Sequence, residues 1–399
     1  MAWLETHHLS TGLHEDTVET MLHRPNTFRI DLGAIARCTR ELRAVIGQGI
    51  PFIAALKAGG YGYGVLPVAL TVLENGADAL SMSSLHDAVS LREAGVKAPI
   101  LVYAGVLTDA DSVAVHEKYS LMPSLHDEAS FSGFAEHLKG RLRVAVKVDV
   151  GPERIGVPLS QARDFIRRVH AHPRMELYAV HAHPNVRHGE GDGVQECMQW
   201  QYDRFARLRD ELEAEGICIP WVAMASSKVL KIGGSAMALS AADPGQALFS
   251  SLSGGPEQAF AELSTRLLAV RTVERTEHLD QAPFAMHKGM RIGVLPIGYS
   301  DGVHLIHAGH VLVRGKRVPI VGKPALEYTR IDLDDLPETQ VGDEVVIIGQ
   351  QGESVISPKE ACSYQGVARV IDLALRVGPT VRREYVNGGP AWLDRFLPQ

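Results

Sequence analysis

The chain has 399 residues, 45% of them hydrophobic and 22% charged, with a net charge of -7. This is the composition of an ordinary folded soluble protein, and its acidic balance gives no reason to expect nucleic acid or an anionic membrane as partner. No run of about 18 uncharged apolar residues marks a membrane span, and the length suffices for one large barrel of about 250 residues plus a smaller domain. Residues 1–26 mix Glu, His and Asp without an apolar leader, so they read as an N-terminal extension. Cys38, Cys197, Cys218 and Cys362 are scattered and form no CxxC pair, which argues against a disulfide framework or a zinc site. A cytoplasmic location is the default expectation.

In chain order, Thr27 to Asp31 predicts a short strand and Leu32 to about Ile46 a helix. Strands are then predicted at 51–57, 78–82, 99–104, 119–123, 142–149, 176–182, 220–225 and 238–242. Amphipathic helical patterns lie between them, as in Ser84 to Ala94, Gln161 to His170, and Gln199 to Glu215 with Tyr202, Phe205, Leu208 and Leu212 on one face. Eight strands alternating with helices predict a parallel (β/α)8 TIM-like barrel over residues 27–264. Past a boundary near Ser264 the texture changes. Short β-branched runs around Val311, Arg317 to Val321 and Glu344 to Gly349, separated by Gly, Pro and Asp, predict a C-terminal antiparallel β domain over 265–399. The strand near 27–31 precedes the barrel and is a candidate to pair into that second domain.

The first barrel strand ends in Phe52-Ile-Ala-Ala-Leu-Lys57-Ala-Gly-Gly-Tyr61-Gly-Tyr63-Gly64. A lysine at the exit of an apolar strand is costly to bury without a partner or a job. Burial lowers its pKa, and the neutral amine is the nucleophile that forms Schiff bases. The glycines that follow let backbone N–H groups approach an anion. The plainer reading is a lysine that snorkels to water. The other exits weigh against it, because in a barrel the C-terminal strand ends form the active face. Strand five runs into Gly151-Pro-Glu-Arg154, strand six into His181-Ala-His183, strand seven into Ser226-Ser227-Lys228, and strand eight into Asp243-Pro-Gly245-Gln246.

Taken with Pro296-Ile-Gly-Tyr299-Ser-Asp301-Gly302, the Lys147 to Gly156 stretch and the LREAGVKAPILVYAG wording ending at Gly105, the sequence resembles the alanine racemase family, pyridoxal-phosphate (PLP) enzymes with a barrel and a β domain. The resemblance runs from about Thr27 to Val386. It implies an amino-acid racemase or epimerase working as a homodimer with shared active sites. Lys57 would hold PLP as a Schiff base and then serve as one acid–base group. Tyr299, from a partner subunit, would be the other. Inversion at Cα needs one group on each face, one to remove the proton and one to return it. Tyr61 and Ser227, with the backbone around Gly245 and Gln246, would hold the cofactor phosphate. Arg154 would lie beside the cofactor's phenolate oxygen and the substrate carboxylate, and His181 against the ring. Lys147 matches a structural lysine that is carbamylated in some members and supports the arginine. The residues taken alone leave other roles open: Tyr299 as an aromatic over a loop, Arg154 as a helix-end cation, Ser227 as a helix cap. Lys323 and Glu327 read as solvated charges.

The sequence departs from the family pattern in several places. Aligned on Pro-Gly, Asp243 stands where the racemases carry an arginine facing the pyridine nitrogen. A carboxylate there raises the pKa of that nitrogen and makes the cofactor a stronger electron sink. This suits elimination, aldol cleavage, decarboxylation or transamination as well as racemisation; a one-residue slip would instead leave Asp243 as a helix cap. Glu277 to His287 lacks the usual wording of a substrate-entrance segment. Gly322-Lys-Pro-Ala-Leu326-Glu327 replaces a cysteine-methionine-aspartate, although Leu326 still offers a backbone N–H to a carboxylate. Ser226 replaces an asparagine and Tyr63 a histidine, which together put alanine itself in doubt as substrate. Two other functions compete. His181 and His183, two apart on a strand with His188 near, match the start of a metal site in barrel hydrolases, but the later exits offer serine and aspartate, and the sequence implies no metal. A non-catalytic PLP carrier usually lacks the β domain and tyrosine motif present here.

Overall fold

The computed structural model describes residues 24–103, 107–185, 192–274, 286–305 and 309–388. The N-terminal residues 1–23, His188 and residues 275–285 of the entrance segment lie outside them. The chain divides into two compact units, one comprising Ile30–Phe260 and the other principally Ala261–Glu384.

The first unit is a barrel of parallel strands. Its strands are β2 (Ile53–Ala55), β3 (Ala79–Met82), β4 (Ile100–Val102), β5 (Met122–Leu125), β6 (Leu142–Asp149), β8 (Met175–Ala182), β9 (Trp221–Ala225) and β10 (Ala241–Ala242), with the two-residue β7 (Val157–Pro158) beside β6. Neighbours follow sequence order from β2 to β10, and these pairings are parallel. A parallel bridge between Phe52 and Ala242 joins the two edges, with Ala55 N donating to the Pro244 carbonyl at 3.0 Å. The eight barrel strands correspond to the eight expected from sequence, each buried on both faces as βαβ crossovers require. β7 is an addition to that expectation, being too short to carry a pattern.

The two faces of the strands differ. Val144, Val146 and Val148 on β6 point outward into a cluster with Phe165, Ile166 and Val169 of the helix Leu159–Ala171 and Phe205 and Leu208 of the helix Asp192–Ala214. The alternate residues face the barrel axis, where Ile53, Ala79, Leu101, Ala145, Ala179, Ala223 and Ala241 form a second cluster. Mostly small side chains fill this interior because eight strands leave room for little more. The helices start where their caps allow. Asp31 Oδ1 accepts from Ala34 N at 2.8 Å to open Leu32–Ile46, and Ser84 Oγ accepts from Asp87 N at 3.1 Å to open Leu85–Glu93.

The second unit is antiparallel. Its larger sheet takes the order β15 (Lys316–Pro319), β14 (His310–Val313), β17 (Glu344–Gln351), β11 (Phe260–Arg266), β1 (Thr27–Asp31), β19 (Arg382–Val386), with β18 (Ser354–Ile356) folding back on β17. A smaller sheet holds β12 (Ala269–Thr272), β13 (Arg291–Leu295) and β16 (Thr329–Asp332). The pairs between β14 and β15, β14 and β17, β11 and β17, and within the smaller sheet are antiparallel.

Candidate active site

Strand alternation carries the inward rows of the barrel up to its C-terminal mouth. On β6 the residue after Ala145 on the inner face is Lys147, and on β8 the residue after Ala179 is His181; the two are paired in register. At that mouth a cavity of about 250 Å³ is lined by Lys57, Ser83, Tyr103, Lys147, Arg154, Ile155, His181, His183 and Asp243. Six residues named from sequence, Lys57, Lys147, Arg154, His181, His183 and Asp243, therefore share one chamber.

Lys57 leaves β2 into a tight helical turn, and the turn is left-handed. Ala58, Gly59, Gly60 and Tyr61 have φ of 49°, 63°, 67° and 56°. The glycines adopt this freely, whereas for Ala58 and Tyr61 it costs about 1–2 kcal/mol each. The sequence predicts a glycine-rich turn here but not its handedness. The turn swings the Tyr61 hydroxyl back over the exit of β10. There a Cβ on Gly245 would lie 2.6 Å from that hydroxyl and 3.0 Å from the Ala55 carbonyl, so any side chain would push the hydroxyl away and crowd the carbonyl. Ser227 Oγ accepts from Gly245 N at 3.0 Å and from Ala247 N at 3.1 Å. Ser227 thus ties two strand exits together rather than capping its own helix, Ser227–Gly233. The Gln246 N–H, between those two donors, has no acceptor among the described residues. A serine hydroxyl, a tyrosine hydroxyl and backbone N–H groups therefore meet around one point, as an anion site requires.

The chamber is cationic apart from one carboxylate. Lys57 Nζ stands 4.6 Å from the centre of the Tyr103 ring, a favourable cation–π placement. Burial pulls the Lys57 pKa down; Asp243 opposes this and Arg154 adds to it. Lys147 is lowered to about 8, first by burial and then by Arg154 and Lys57, with Asp243 pulling the other way. His181 falls well below the ordinary histidine range through burial, then Lys147 and Lys57. Its Nε2 meets Ser124 Oγ at 2.7 Å. His183 drops to about 4, by burial and then Lys57, Arg154 and Lys147, so both imidazoles are neutral at physiological pH. Among the described residues no three His, Cys, Asp or Glu side chains gather to hold a metal.

Asp243 is 8% exposed and makes no helix cap. Its Oδ2 accepts from the Tyr103 hydroxyl at 3.1 Å, and that hydroxyl lies 2.7 Å from Ser81 Oγ. Its Oδ1 has no hydrogen-bond partner among the described residues. The Arg154 loop is organised by Asp149, whose carboxylate accepts from the backbone N–H groups of Gly151, Glu153 and Arg154 at 2.8, 3.2 and 2.9 Å. The sequence pattern does not single out Tyr103, Ser81, Ser124 or Asp149. For Tyr103 the available signal is its place two residues after Leu101, on the inner face of a strand at its exit.

Tyr299 and Leu326 belong to the second unit. Tyr299 opens a 3₁₀ turn, Tyr299–Asp301, and is 46% exposed; Leu326 is 53% exposed. The two segments are joined: Tyr299 N donates to the Ala325 carbonyl at 3.1 Å, and Ser300 N and Oγ donate to the Leu326 carbonyl at 3.0 and 2.7 Å. The Asp301 carboxylate, fully buried, accepts from Gly298 N, from Thr380 Oγ1 and from Arg24, at 2.9, 2.9 and 2.7 Å. Glu327 and Lys323 are both exposed, as read from sequence, and Glu327 lies 3.8 Å from Arg24.

Residues 30–252 match the family model of the alanine racemase N-terminal domain, and residues 260–385 that of the alanine racemase C-terminal domain. The chain belongs to the alanine racemase family. With the family come its cofactor, PLP, and its class of reaction, isomerisation of an amino acid. The chain is 28% identical over 376 residues to the alanine racemase of Halothermothrix orenii, covering 91% of this chain and 97% of that protein. It is 30% identical over 345 residues to alanine racemase 2 of Caldanaerobacter subterraneus subsp. tengcongensis, covering 82% and 86%. Among solved structures, alanine racemase from Clostridium difficile superposes with a TM-score of 0.78 at 20% identity, covering 91% of this chain and 96% of that one. That from Bacillus anthracis gives 0.77 at 24% identity, covering 94% and 99%. These two establish the shared fold, a (β/α)8 barrel followed by an antiparallel β domain.

The residues present fit PLP. An amine of lowered pKa, a cluster of Ser227, Tyr61 and Gly245 that could seat a phosphate, and a buried carboxylate with an unpartnered oxygen match what an anionic phosphate ester with a basic ring nitrogen needs.

Proposed function

We propose that this protein racemises or epimerises a small-molecule amino acid, with Lys57 carrying the cofactor and Lys57 and Tyr299 acting on opposite faces of Cα. The observation that carries this reading is the half-buried Lys57 amine, which lines the cavity with Asp243 and Arg154 at the mouth that also bears Ser227 and Gly245. When bound, PLP withdraws electrons from Cα and so acidifies its proton. Lys57 Nζ, with its pKa lowered by burial, takes or returns that proton on one face. The Tyr299 hydroxyl of the partner subunit does the same on the other. Arg154 draws the substrate carboxylate, Tyr61, Ser227, Gly245 and Gln246 seat the phosphate, and His181 supports the ring as a neutral imidazole. Leu326 offers its backbone N–H to the substrate.

A homodimer with shared active sites is part of this reading. It is supported by the exposure of Tyr299, Leu326 and Tyr328, at 46%, 53% and 49%, on the unit that carries the tyrosine turn. A cytoplasmic location agrees with four free thiols, and no helix among the described residues is long and apolar enough to cross a membrane.

Asp243 favours a second reading, another PLP reaction on an amino acid such as elimination, aldol cleavage, decarboxylation or transamination, because a carboxylate there strengthens the electron sink. One experiment separates the two. Purified protein loaded with PLP is reduced with borohydride and digested, and Lys57 should carry the label. Single enantiomers are then incubated in deuterated water. Solvent exchange with inversion supports racemisation. Keto acid, ammonia or aldehyde supports the alternative, and a label elsewhere than Lys57 overturns both.

A further inference from the structure

Among the described residues, Asp243 is the one carboxylate lining a chamber that also presents Lys57, Lys147 and Arg154. Its two oxygens are unequal. Oδ2 accepts from Tyr103, whereas Oδ1 is buried without a partner among the described residues. A buried carboxylate oxygen left bare is costly and uncommon. Lys57 and Lys147 act on this carboxyl through space, yet neither bonds to Oδ1.

The arrangement behind Asp243 is directional. A tyrosine hydroxyl has a single hydrogen. Once that hydrogen is given to Oδ2, Tyr103 can only accept from Ser81, whose Oγ lies 2.7 Å away. Ser81 sits on β3 and Tyr103 just past β4, so two neighbouring strands brace the carboxylate from behind. The brace fixes the side chain in the cavity wall, with Oδ1 the oxygen left unsatisfied.

We propose that Asp243 Oδ1 is the acceptor for the protonated ring nitrogen of the cofactor, and that Tyr103 and Ser81 are positioning residues that hold it in that role. This rests on the reading that PLP sits on Lys57. The proton between the two groups resides on the nitrogen, because Tyr103 already donates to the carboxylate and Lys147 stands by as a cation. Burial raises the Asp243 pKa, and Lys57, Lys147 and the Tyr103 hydrogen bond offset only part of that rise. A ring nitrogen held protonated is the stronger electron sink.

The test reads the nitrogen directly. Wild-type protein and the variants Asp243→Asn and Tyr103→Phe are loaded with PLP labelled with ¹⁵N in the ring, and the ¹⁵N resonance is followed against pH. Wild type should show a protonated nitrogen at neutral pH. Asp243→Asn should show an unprotonated one, and Tyr103→Phe should lose the proton at a lower pH than wild type. An unprotonated nitrogen in wild type, or the same resonance in wild type and Asp243→Asn, overturns the proposal. An unchanged titration in Tyr103→Phe refutes the positioning role. Should Asp243→Asn fail to fold, the wild-type and Tyr103→Phe signals still decide. Borohydride labelling separates the layers: no label on Lys57 defeats the functional reading itself, while a label on Lys57 with an unprotonated nitrogen defeats only this inference.

Discussion

The Tyr103 hydroxyl donates to Asp243 Oδ2 across 3.1 Å, joining two strand exits 140 residues apart in sequence. Removing that donor leaves a buried carboxylate with neither oxygen satisfied. Tyr103→Phe should therefore cost about 1–3 kcal/mol of stability, read as a lowered denaturant midpoint. Ser81→Ala should cost less, since Tyr103 can still donate forward. A midpoint for Tyr103→Phe equal to that of wild type would contradict the hydrogen bond.

The left-handed turn after Lys57 separates backbone strain from steric fit. A Cβ on Gly59 meets nothing within 4 Å, but its φ is +63°. Gly59→Ala should thus lose about 1–2 kcal/mol through conformation alone and still retain cofactor. Gly245 has no such freedom, because its added Cβ would strike the Tyr61 hydroxyl and the Ala55 carbonyl. Gly245→Ala should release PLP readily. Equilibrium dialysis of the two loaded variants checks the contrast, and equal retention would argue against the cradle.

Much of this architecture is legible in the sequence for a physical reason. Parallel barrel strands are buried on both faces and read as continuous apolar runs bounded by turn signals, so all eight can be placed. Lys57, Arg154, His181 and Asp243 stand out because a charged or titratable group at the exit of such a run is expensive. Tyr103 does not, since in Leu101-Val-Tyr103 an aromatic reads as core, and only the structure shows its hydroxyl turned to Asp243. The left-handed turn is hidden for a different reason. Gly59 and Gly60 permit it, but Ala58 and Tyr61 oppose it, and local preference gives no hint that the surroundings override them.

Lys147 makes stability depend on pH. Its pKa is lowered to about 8 from the ordinary lysine value of 10.5. Between those values the unfolded chain binds more protons than the folded one, so this residue makes stability rise as pH climbs through the window. Below about pH 8 both states carry the proton and the slope from this residue vanishes. Lys147→Met removes the group, so wild type should gain stability relative to the variant from about pH 8 to 10.5. Urea titrations at pH 7, 8, 9 and 10 test this, and parallel curves for the two proteins would refute it.

Tyr299 is assigned one face of Cα only. Tyr299→Phe should lower the racemisation rate by about 10²–10⁴-fold, the usual loss of a general acid–base group. It should spare deuterium exchange from the enantiomer whose proton faces Lys57. Loss of exchange from both enantiomers alike would mean that the hydroxyl serves some other purpose.

The hydrogen bonds that join Tyr299 and Ser300 to Ala325 and Leu326 weld the residue proposed to handle a proton to the loop that would judge a side chain. Chemistry and selectivity are then mounted on one jaw. On that proposal, a substitution at Ala325 that shifts its carbonyl would also re-aim the phenol, so a new substrate preference could not be evolved there without retuning the rate.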